Sequence, residues 1–177
     1  RIERARQLGL LQPVSSAVLA EAVPAHLRDP DNNWFGFSKR ARVILFNKEK
    51  LTASTAPQNY EDLADPKWKG RIGWPTTNAS FQAMVTGMRA LWGEEKTRQW
   101  LGEIQANQPR TYRNNTAVVN AAATGEIDVG FVNHYYLYRF LAERGESFSA
   151  RNYHPRAGGP GTLILVAGAG VLATSKN

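Results

Sequence analysis

Two adjacent tyrosines have the most specific chemistry in this sequence. Tyr135 and Tyr136 come just after residues 127–132 (IDVGFV), an apolar run typical of a buried β-strand, with Asn133 and His134 between. A phenol has a reference pKa of about 10, so two phenolates at neutral pH need a strong cation beside them. Fe³⁺ suits paired phenolates, because hard cations prefer oxygen ligands and coordination displaces the protons. The pair predicts a metal site, although one ring in the core and one on the surface would also explain a bare Tyr-Tyr pair.

Two other segments have the composition of anion-binding turns. Residues 74–80 (WPTTNAS) lead from a predicted strand into a predicted helix, and residues 113–116 (RNNT) do the same further along the chain. Backbone N–H groups at a helix N-terminus attract anions, and small or amide-bearing residues leave those groups accessible. Asn78, Ala79 and Ser80 in the first segment and Asn115 in the second are therefore candidates. Each segment alone is also explained by an ordinary helix N-cap.

Strands and helices alternate along most of the chain. We expect strands at residues 34–47, 71–74, 110–112, 127–132 and 163–166, and helices at about 80–92, 94–106, 116–124 and 136–144. This alternation predicts an α/β fold with a mostly parallel sheet. Ligands of such sheets bind at the carboxyl ends of the strands, which is where all three candidate segments fall.

Composition excludes several classes of site. The 177 residues contain no cysteine, so thiolate metal sites, iron–sulfur clusters and cysteine nucleophiles are excluded. The hydrophobic fraction of 42% and charged fraction of 21% are typical of a soluble globular protein, and no apolar run approaches the length of about 20 residues that spans a membrane. The net charge of +7 favours contact with anions, but the basic residues are scattered.

Several motifs, in one order along nearly the whole chain, resemble the periplasmic ferric-ion-binding proteins of bacterial iron ABC transporters. They are residues 38–43 (SKRARV), 65–73 (DPKWKGRIG), 78–81 (NASF), 133–139 (NHYYLYR) and 161–177. The resemblance implies a type II periplasmic-binding-protein fold with two lobes and mixed, mostly parallel sheets, here mainly the second lobe plus part of the first. We expect residues 1–45 to belong to the first lobe and its hinge strand, 46–160 to the second lobe, and 161–177 to the returning hinge strand.

The same resemblance implies the ligands. Tyr135 and Tyr136 would bind Fe³⁺ as phenolates, and an exogenous anion, phosphate or carbonate, would complete the coordination. The residues expected to hold that anion are Asn78, Ala79, Ser80, Asn115, Asn133 and the basic residue Arg40, with Arg42 as a further candidate for the role of Arg40. His134 is expected to be structural, with its side chain pointing away from that of Tyr135, and Tyr138 is expected to pack within the following helix.

The implied role is capture of ferric iron with a synergistic anion and delivery to an ABC transporter permease in the inner membrane. Such a protein is a monomer of the periplasm, or a cell-surface lipoprotein where no outer membrane exists. It is neither an enzyme nor a nucleic-acid-binding protein. Both ends of the sequence look like interrupted elements, so we expect a fragment of a longer protein whose first-lobe iron ligands lie elsewhere.

Three alternatives remain at this point. A protein of the same fold could hold a different small ligand: phosphate, an organic anion, a polyamine or a sugar. An enzyme is disfavoured, because the three histidines are far apart and no Gly-x-Ser-x-Gly elbow, P-loop or dinucleotide fingerprint is present. A nucleic-acid-binding module is disfavoured because no basic stripe is interleaved with aromatic residues.

Overall fold

The computed structural model describes residues 2–156 and 159–176. The helices in these residues are α1 (Ile2–Gln7), α2 (Ala17–Ala22), α3 (Ala79–Trp92), α4 (Glu94–Ala106), α5 (Asn115–Ala123) and α6 (Tyr135–Arg144). The strands are β1 (Leu11–Gln12), β2 (Phe35–Asn47), β3 (Ile72–Trp74), β4 (Arg110–Thr111), β5 (Val129–Asn133), β6 (Ala150–Tyr153), β7 (Ile164–Ala169) and β8 (Val171–Leu172). Across the described ranges, every helix is too short or too polar to cross a bilayer.

The chain divides into two compact units. One consists of Arg1–Arg40 with Leu165–Asn177, and the other is Ala41–Ile164. The first unit contains α1, α2 and a two-stranded antiparallel sheet in which Leu11 of β1 faces Leu172 of β8. The second unit contains α3 to α6 and most of the larger sheet. The assignment of the chain to lobes, with boundaries at residues 45 and 160, stays a prediction.

The larger sheet is mixed, as predicted. Its strand order is β4-β3-β5-β2-β6, and β7 also pairs with β2. β3 runs parallel to both β4 and β5, whereas β2 is antiparallel to β5 and β6. The register places Arg42 of β2 opposite Asn133, the last residue of β5. These two candidate residues therefore lie side by side.

Both faces of the sheet are covered, which explains the nearly continuous apolar runs in β2 and β5. Successive side chains of a strand point to opposite faces, so Ile44 and Phe46 enter one core while Val43 and Leu45 enter the other. The first core is closed by α3 and α4, and the second by α5 and α6. Because the central strands are packed on both faces, they hold the residues at their ends in fixed positions.

Helix α5 approaches β5 closely at Gly130. A Cβ atom added there would lie 2.4 Å from Cγ1 of Val118, far inside van der Waals contact. Only glycine fits such an approach without displacing the helix. The close packing brings the first turn of α5, and with it Asn115, to the carboxyl end of β5.

Candidate metal and anion site

The two predicted phenols lie together in the first turn of α6. Tyr135 is the first residue of the helix, and only His134 separates it from the end of β5. The rings of Tyr135 and Tyr136 are stacked, with centroids 4.5 Å apart and planes inclined by 27°. Tyr135 is 39% exposed, and Tyr136 is half-buried against the second core. The pair is thus adjacent in space and reachable from solvent at Tyr135.

His134 is structural, but its orientation differs from the prediction. Its Nδ1 accepts a hydrogen bond from the backbone N–H of Ala41 at 3.1 Å. Its ring meets Tyr135 edge to face, with centroids 5.8 Å apart, so the prediction that it points away from Tyr135 is wrong. The strand has already turned into helix here, and neighbouring side chains no longer alternate between opposite faces. Tyr138 lies within α6, 54% exposed, with its ring edge against His134.

Arg42, the further basic candidate, organises the polar residues at this end of the sheet. Its side chain is buried, with 1% exposure. Its Nη1 donates to Asn133 Oδ1 at 3.0 Å and lies 3.3 Å from both Asn115 Oδ1 and Ser80 Oγ. Its Nε and Nη2 are buried and have no hydrogen-bond partner. A guanidinium in this position has donors available for a further acceptor.

Asn115 and Asn133 hold each other across two elements. The Asn115 side-chain oxygen accepts a hydrogen bond from the Asn133 backbone N–H at 3.0 Å as well as from Arg42. The Asn115 amide nitrogen is buried and without a partner. The N-cap of α5 is Asn114, whose side chain accepts from the N–H of Ala117. Asn115 is therefore not needed as a cap, and its nitrogen remains available to an acceptor.

The segment containing Asn78, Ala79 and Ser80 forms the start of α3. Asn78 is the N-cap, and its side-chain oxygen accepts from the Ser80 backbone N–H at 3.0 Å and from the Ser80 hydroxyl at 2.6 Å. The same hydroxyl accepts from Arg42, so Ser80 links Asn78 to the guanidinium. Ala79 is the first helical residue and is exposed, so it offers a main-chain N–H rather than a side-chain group. The cap and the candidate anion loop are one segment.

Arg40 lies in the other compact unit. It is exposed on β2, whereas the remaining candidate residues all belong to the unit Ala41–Ile164. Its predicted role in holding the anion stays a prediction. The structure instead brings Arg42 to Ser80, Asn115 and Asn133.

Burial sets the electrostatics of this cluster. It lowers the pKa of the Arg42 guanidinium, and Tyr60, Tyr135 and Tyr136 act in the opposite direction. Burial also raises the pKa of the Tyr60 phenol to about 12, a rise that Arg42 moderates. Arg42 forms no ion pair with any carboxylate in residues 2–156 and 159–176, so its nearest electrostatic partners are phenols. No three His, Asp or Glu side chains in those residues are grouped as metal ligands.

A sequence comparison decides the family. Residues 1–159 match the family described as bacterial extracellular solute-binding proteins. This chain belongs to that family. As a solute-binding family member it is 39% identical to iron uptake protein A1 of a Synechocystis strain, over its whole length. It is 35% identical to an Fe(3+)-binding periplasmic protein of Serratia marcescens over 95% of its length. The chain spans about half of each of these curated relatives, 51% and 49% respectively.

A solved solute-binding protein has the same fold. It is the Trichodesmium protein IdiA (FutA), in complex with iron and citrate, which superposes with a TM-score of 0.86 at 36% identity. The match covers 98% of this chain and 57% of that protein. The type II periplasmic-binding-protein fold and the resemblance to periplasmic ferric-ion-binding proteins are both confirmed.

Sequence reasoning preferred Arg40 to Arg42, which is the centre of this cluster, and it missed Tyr60 beside Arg42. Arg42 follows two other basic residues in SKRAR, and nothing in that run distinguishes the buried member from the exposed ones. The register of β2 against β5 is the signal that would have found it, because only Arg42 faces Asn133.

Proposed function

We propose that this solute-binding chain captures ferric iron together with a synergistic anion and delivers it to an ABC importer. One observation carries the proposal: two stacked phenols begin two residues after Asn133, which faces a buried guanidinium whose remaining donors are unused. The relatives from Synechocystis and Serratia, with iron in their names, support the choice of metal. The whole protein would act in the periplasm, as a monomer, with a permease of the inner membrane as its partner.

Tyr135 and Tyr136 would be the iron ligands. Fe³⁺ displaces the phenolic protons on binding, so uptake releases protons and produces two anionic oxygens next to the cation. Tyr135 and Tyr136 both favour the charged form of Arg42, so the guanidinium and the two proposed ligands belong to one electrostatic cluster.

The anion would bind at the donor cluster. Besides the Tyr60 hydroxyl, the unpartnered groups around Arg42 are its Nε and Nη2 and the amide nitrogen of Asn115, which are N–H donors. Phosphate, carbonate and carboxylates have only acceptor oxygens when fully ionised, so they complement such a set. The citrate in the Trichodesmium complex offers carboxylates of this kind. We infer that Ser80, Asn115 and Asn133 hold Arg42 in position while its free N–H groups bind the anion.

The two ligands would depend on each other for an electrostatic reason. A buried guanidinium repels Fe³⁺ strongly where water is excluded. An anion bound between them cancels that repulsion and supplies further oxygen ligands. Capture would end when the lobes of the whole protein close over the ions by hinge bending, and reopening at the importer would release them.

The decisive experiment is a titration of the full-length protein with Fe³⁺, monitored by visible absorbance. The wild type should develop a phenolate-to-iron charge-transfer band, and Tyr135→Phe and Tyr136→Phe should each weaken ferric binding severely and reduce that band. Tyr138→Phe is the matched control, because it removes an exposed phenol of the same helix. Unchanged absorbance in both ligand variants would refute the assignment.

The second candidate is a protein of the same fold that binds phosphate or an organic anion without iron. The donor-only cluster around Arg42 favours an anion over a polyamine, since a buried cation repels an ammonium group. Charge does not argue against an uncharged sugar. The polar groups around Arg42 are explained, however, without an aromatic ring that stacks on a sugar. Calorimetric titration of the metal-free protein with phosphate separates the readings: tight binding with no response to Fe³⁺ would favour this candidate.

A further inference from the structure

The strand that leads to the phenols turns into helix without a loop. Asn133 is the last residue of β5 and Tyr135 is the first of α6, which leaves His134 as the only residue between them. The antiparallel ladder with β2 nevertheless continues to His134, whose N–H donates to the Ala41 carbonyl at 3.0 Å. The change from strand to helix thus takes place at a single residue, His134.

At this position a side chain replaces a main-chain carbonyl. In an antiparallel pair that exchanges both hydrogen bonds, the Ala41 N–H would donate to the carbonyl of the residue opposite. Here it donates to Nδ1 of His134 instead, at 3.1 Å. The His134 backbone is already helical, with φ −53° and ψ −38°, so its carbonyl has turned away from β2. The imidazole of His134 therefore accepts the hydrogen bond that the His134 carbonyl would accept in a regular ladder.

The released carbonyl is bound elsewhere. It accepts a hydrogen bond from Nδ2 of Asn152, on β6, at 2.8 Å. His134 is therefore tied to β2 through its N–H and its ring, and to β6 through its carbonyl. Three hydrogen bonds, two with Ala41 and one with Asn152, fix the residue before the helix.

The same ring supports the phenols directly. Its edge contacts Tyr135 at a centroid distance of 5.8 Å, nearly perpendicular at 87°, and Tyr138 at 6.1 Å. Because Nδ1 accepts from Ala41, the ring plane cannot turn without breaking that bond. Tyr135 thereby has a fixed aromatic neighbour in addition to Tyr136.

We propose that His134 is a positioning residue for the metal-binding phenols, acting through its Nδ1 acceptor. This inference rests on the proposed function and adds the group that orients its ligands. By standing in for a carbonyl, His134 allows α6 to start directly at the strand end, which puts Tyr135 and Tyr136 in the first helical turn. Groups that orient ligands from behind affect metal affinity by roughly 10- to 100-fold.

The proposal predicts which side chains can replace histidine. The side-chain oxygen of asparagine sits at the same number of bonds from the backbone as Nδ1 and is an acceptor. Leucine occupies a comparable volume but has no acceptor, and the oxygen of glutamine is one bond too far out. His134→Asn should therefore preserve the function, and His134→Leu and His134→Gln should not.

The test uses the protein as it is naturally encoded, titrated with Fe³⁺, with the charge-transfer band and the hydrogen exchange of the Ala41 amide as readouts. His134→Leu should weaken ferric binding about tenfold or more, shift or broaden the band, and lose protection of the Ala41 amide. His134→Asn should remain within about threefold of wild type, with the amide protected. If His134→Leu does not unfold cooperatively, His134→Gln takes its place.

Two results would overturn the proposal: wild-type iron binding in the leucine or glutamine variant, or equal impairment of the asparagine variant. Failure of the proposed function has a different signature, because the wild type itself would then show no charge-transfer band. In that case, hydrogen exchange of the Ala41 amide still tests whether His134 is its hydrogen-bond acceptor. Equal protection in all variants would show that the ring does not act as the strand's acceptor.

Discussion

The two ends of strand β5 each have a buried charge, and they treat it in opposite ways. Just before the strand, Asp128 has a side chain with 8% exposure and is paired with Lys50 at 2.7 Å and with Arg71. Opposite the last residue of the strand, Arg42 is buried to 1% exposure and has amides, a hydroxyl and phenols as neighbours. One charge is neutralised by the protein, while the other is only held in place.

On the proposed function, this difference distinguishes a structural ion cluster from a ligand site. Burying an unpaired charge is costly, so it is expected where function requires it rather than where stability does. The charge of Asp128, at the amino end of β5, is neutralised by ion pairs. The charge of Arg42, at the carboxyl end of β5, has no carboxylate partner among the described residues. Removing either charge should therefore have different consequences, and four predictions test that contrast.

The largest effect should follow from removing the unpaired cation. Arg42→Met keeps most of the volume but removes the donors, and we expect ferric affinity at saturating phosphate or carbonate to fall by about tenfold to a hundredfold. Iron binding in the absence of the anion should not weaken, because the repulsion is gone as well. The enhancement by the anion should thus disappear. Ferric titrations with and without each anion measure it.

Arg40→Met is the matched control for that experiment. Arg40 is exposed on the same strand, two residues earlier. If Arg40→Met abolished the anion effect and Arg42→Met left it intact, the sequence-based assignment of Arg40 would stand and the role proposed here for Arg42 would not.

Neutralising the paired acid should affect folding instead. Asp128→Asn leaves Lys50 and Arg71 without their counter-ion, and both are partly exposed, at 43% and 39%. We therefore expect a loss of about 2 kcal/mol in the free energy of unfolding, below the range for fully buried pairs. Urea denaturation measures it, and Glu143→Gln, which breaks the exposed pair with Arg139, should change stability by less than about 0.5 kcal/mol. Equal effects in the two variants would remove the contrast.

The contribution of Asp128 should depend on pH in a defined direction. Burial alone raises its pKa, but hydrogen bonds and charges from Lys50 and Arg71 lower it below the ordinary value of 3.8. A lowered pKa stabilises the fold above the unfolded value, and this stability is lost as the pH falls through the folded value. The difference between wild type and Asp128→Asn should be constant above about pH 5 and vanish in stronger acid. A difference that grew on acidification would contradict this assignment.

The smallest effect concerns the phenol behind the guanidinium. Tyr60 is fully buried, its hydroxyl has no hydrogen-bond partner, and its ring packs against Phe131 at 5.3 Å. Tyr60→Phe keeps the ring and removes an unsatisfied polar atom, so stability should stay constant or rise by up to about 0.5 kcal/mol. A loss of more than about 1 kcal/mol in urea denaturation would show that the hydroxyl is partnered in solution.

Periodicity predicted most elements near the site. The apolar stripe of residues 80–92 corresponds to α3, residues 94–106 to α4, and the strand of residues 34–47 to β2. Tyr135 and Tyr136 were found because their chemistry is unusual and because they follow an apolar strand. Strand β6 was missed, since Arg151-Asn152-Tyr153 has little apolar character and forms a strand only by pairing with β2. The sequence of residues 150–153 alone does not indicate that β2 lies beside them.

The roles of Arg42 and His134 depend on long-range register. Arg42 is buried because Asn133 faces it across the sheet, and His134 points toward Tyr135 because the helix starts one residue earlier than periodicity indicates. Both facts follow from the pairing of β2 with β5, which lie about 90 residues apart in the chain. Sequence patterns of short range cannot supply them.

The glycine in the middle of β5 couples core volume to the binding end of the molecule. Because Val118 occupies the space of a Gly130 side chain, a larger residue there would force Val118 or α5 to shift, and a shift of α5 would move Asn115 relative to Arg42 and the Asn133 amide. If the cluster binds the proposed anion, a single methyl group at Gly130, a residue outside the cluster, would thus weaken that binding. Anion affinity would then depend on packing in the hydrophobic interior as well as on the residues of the cluster.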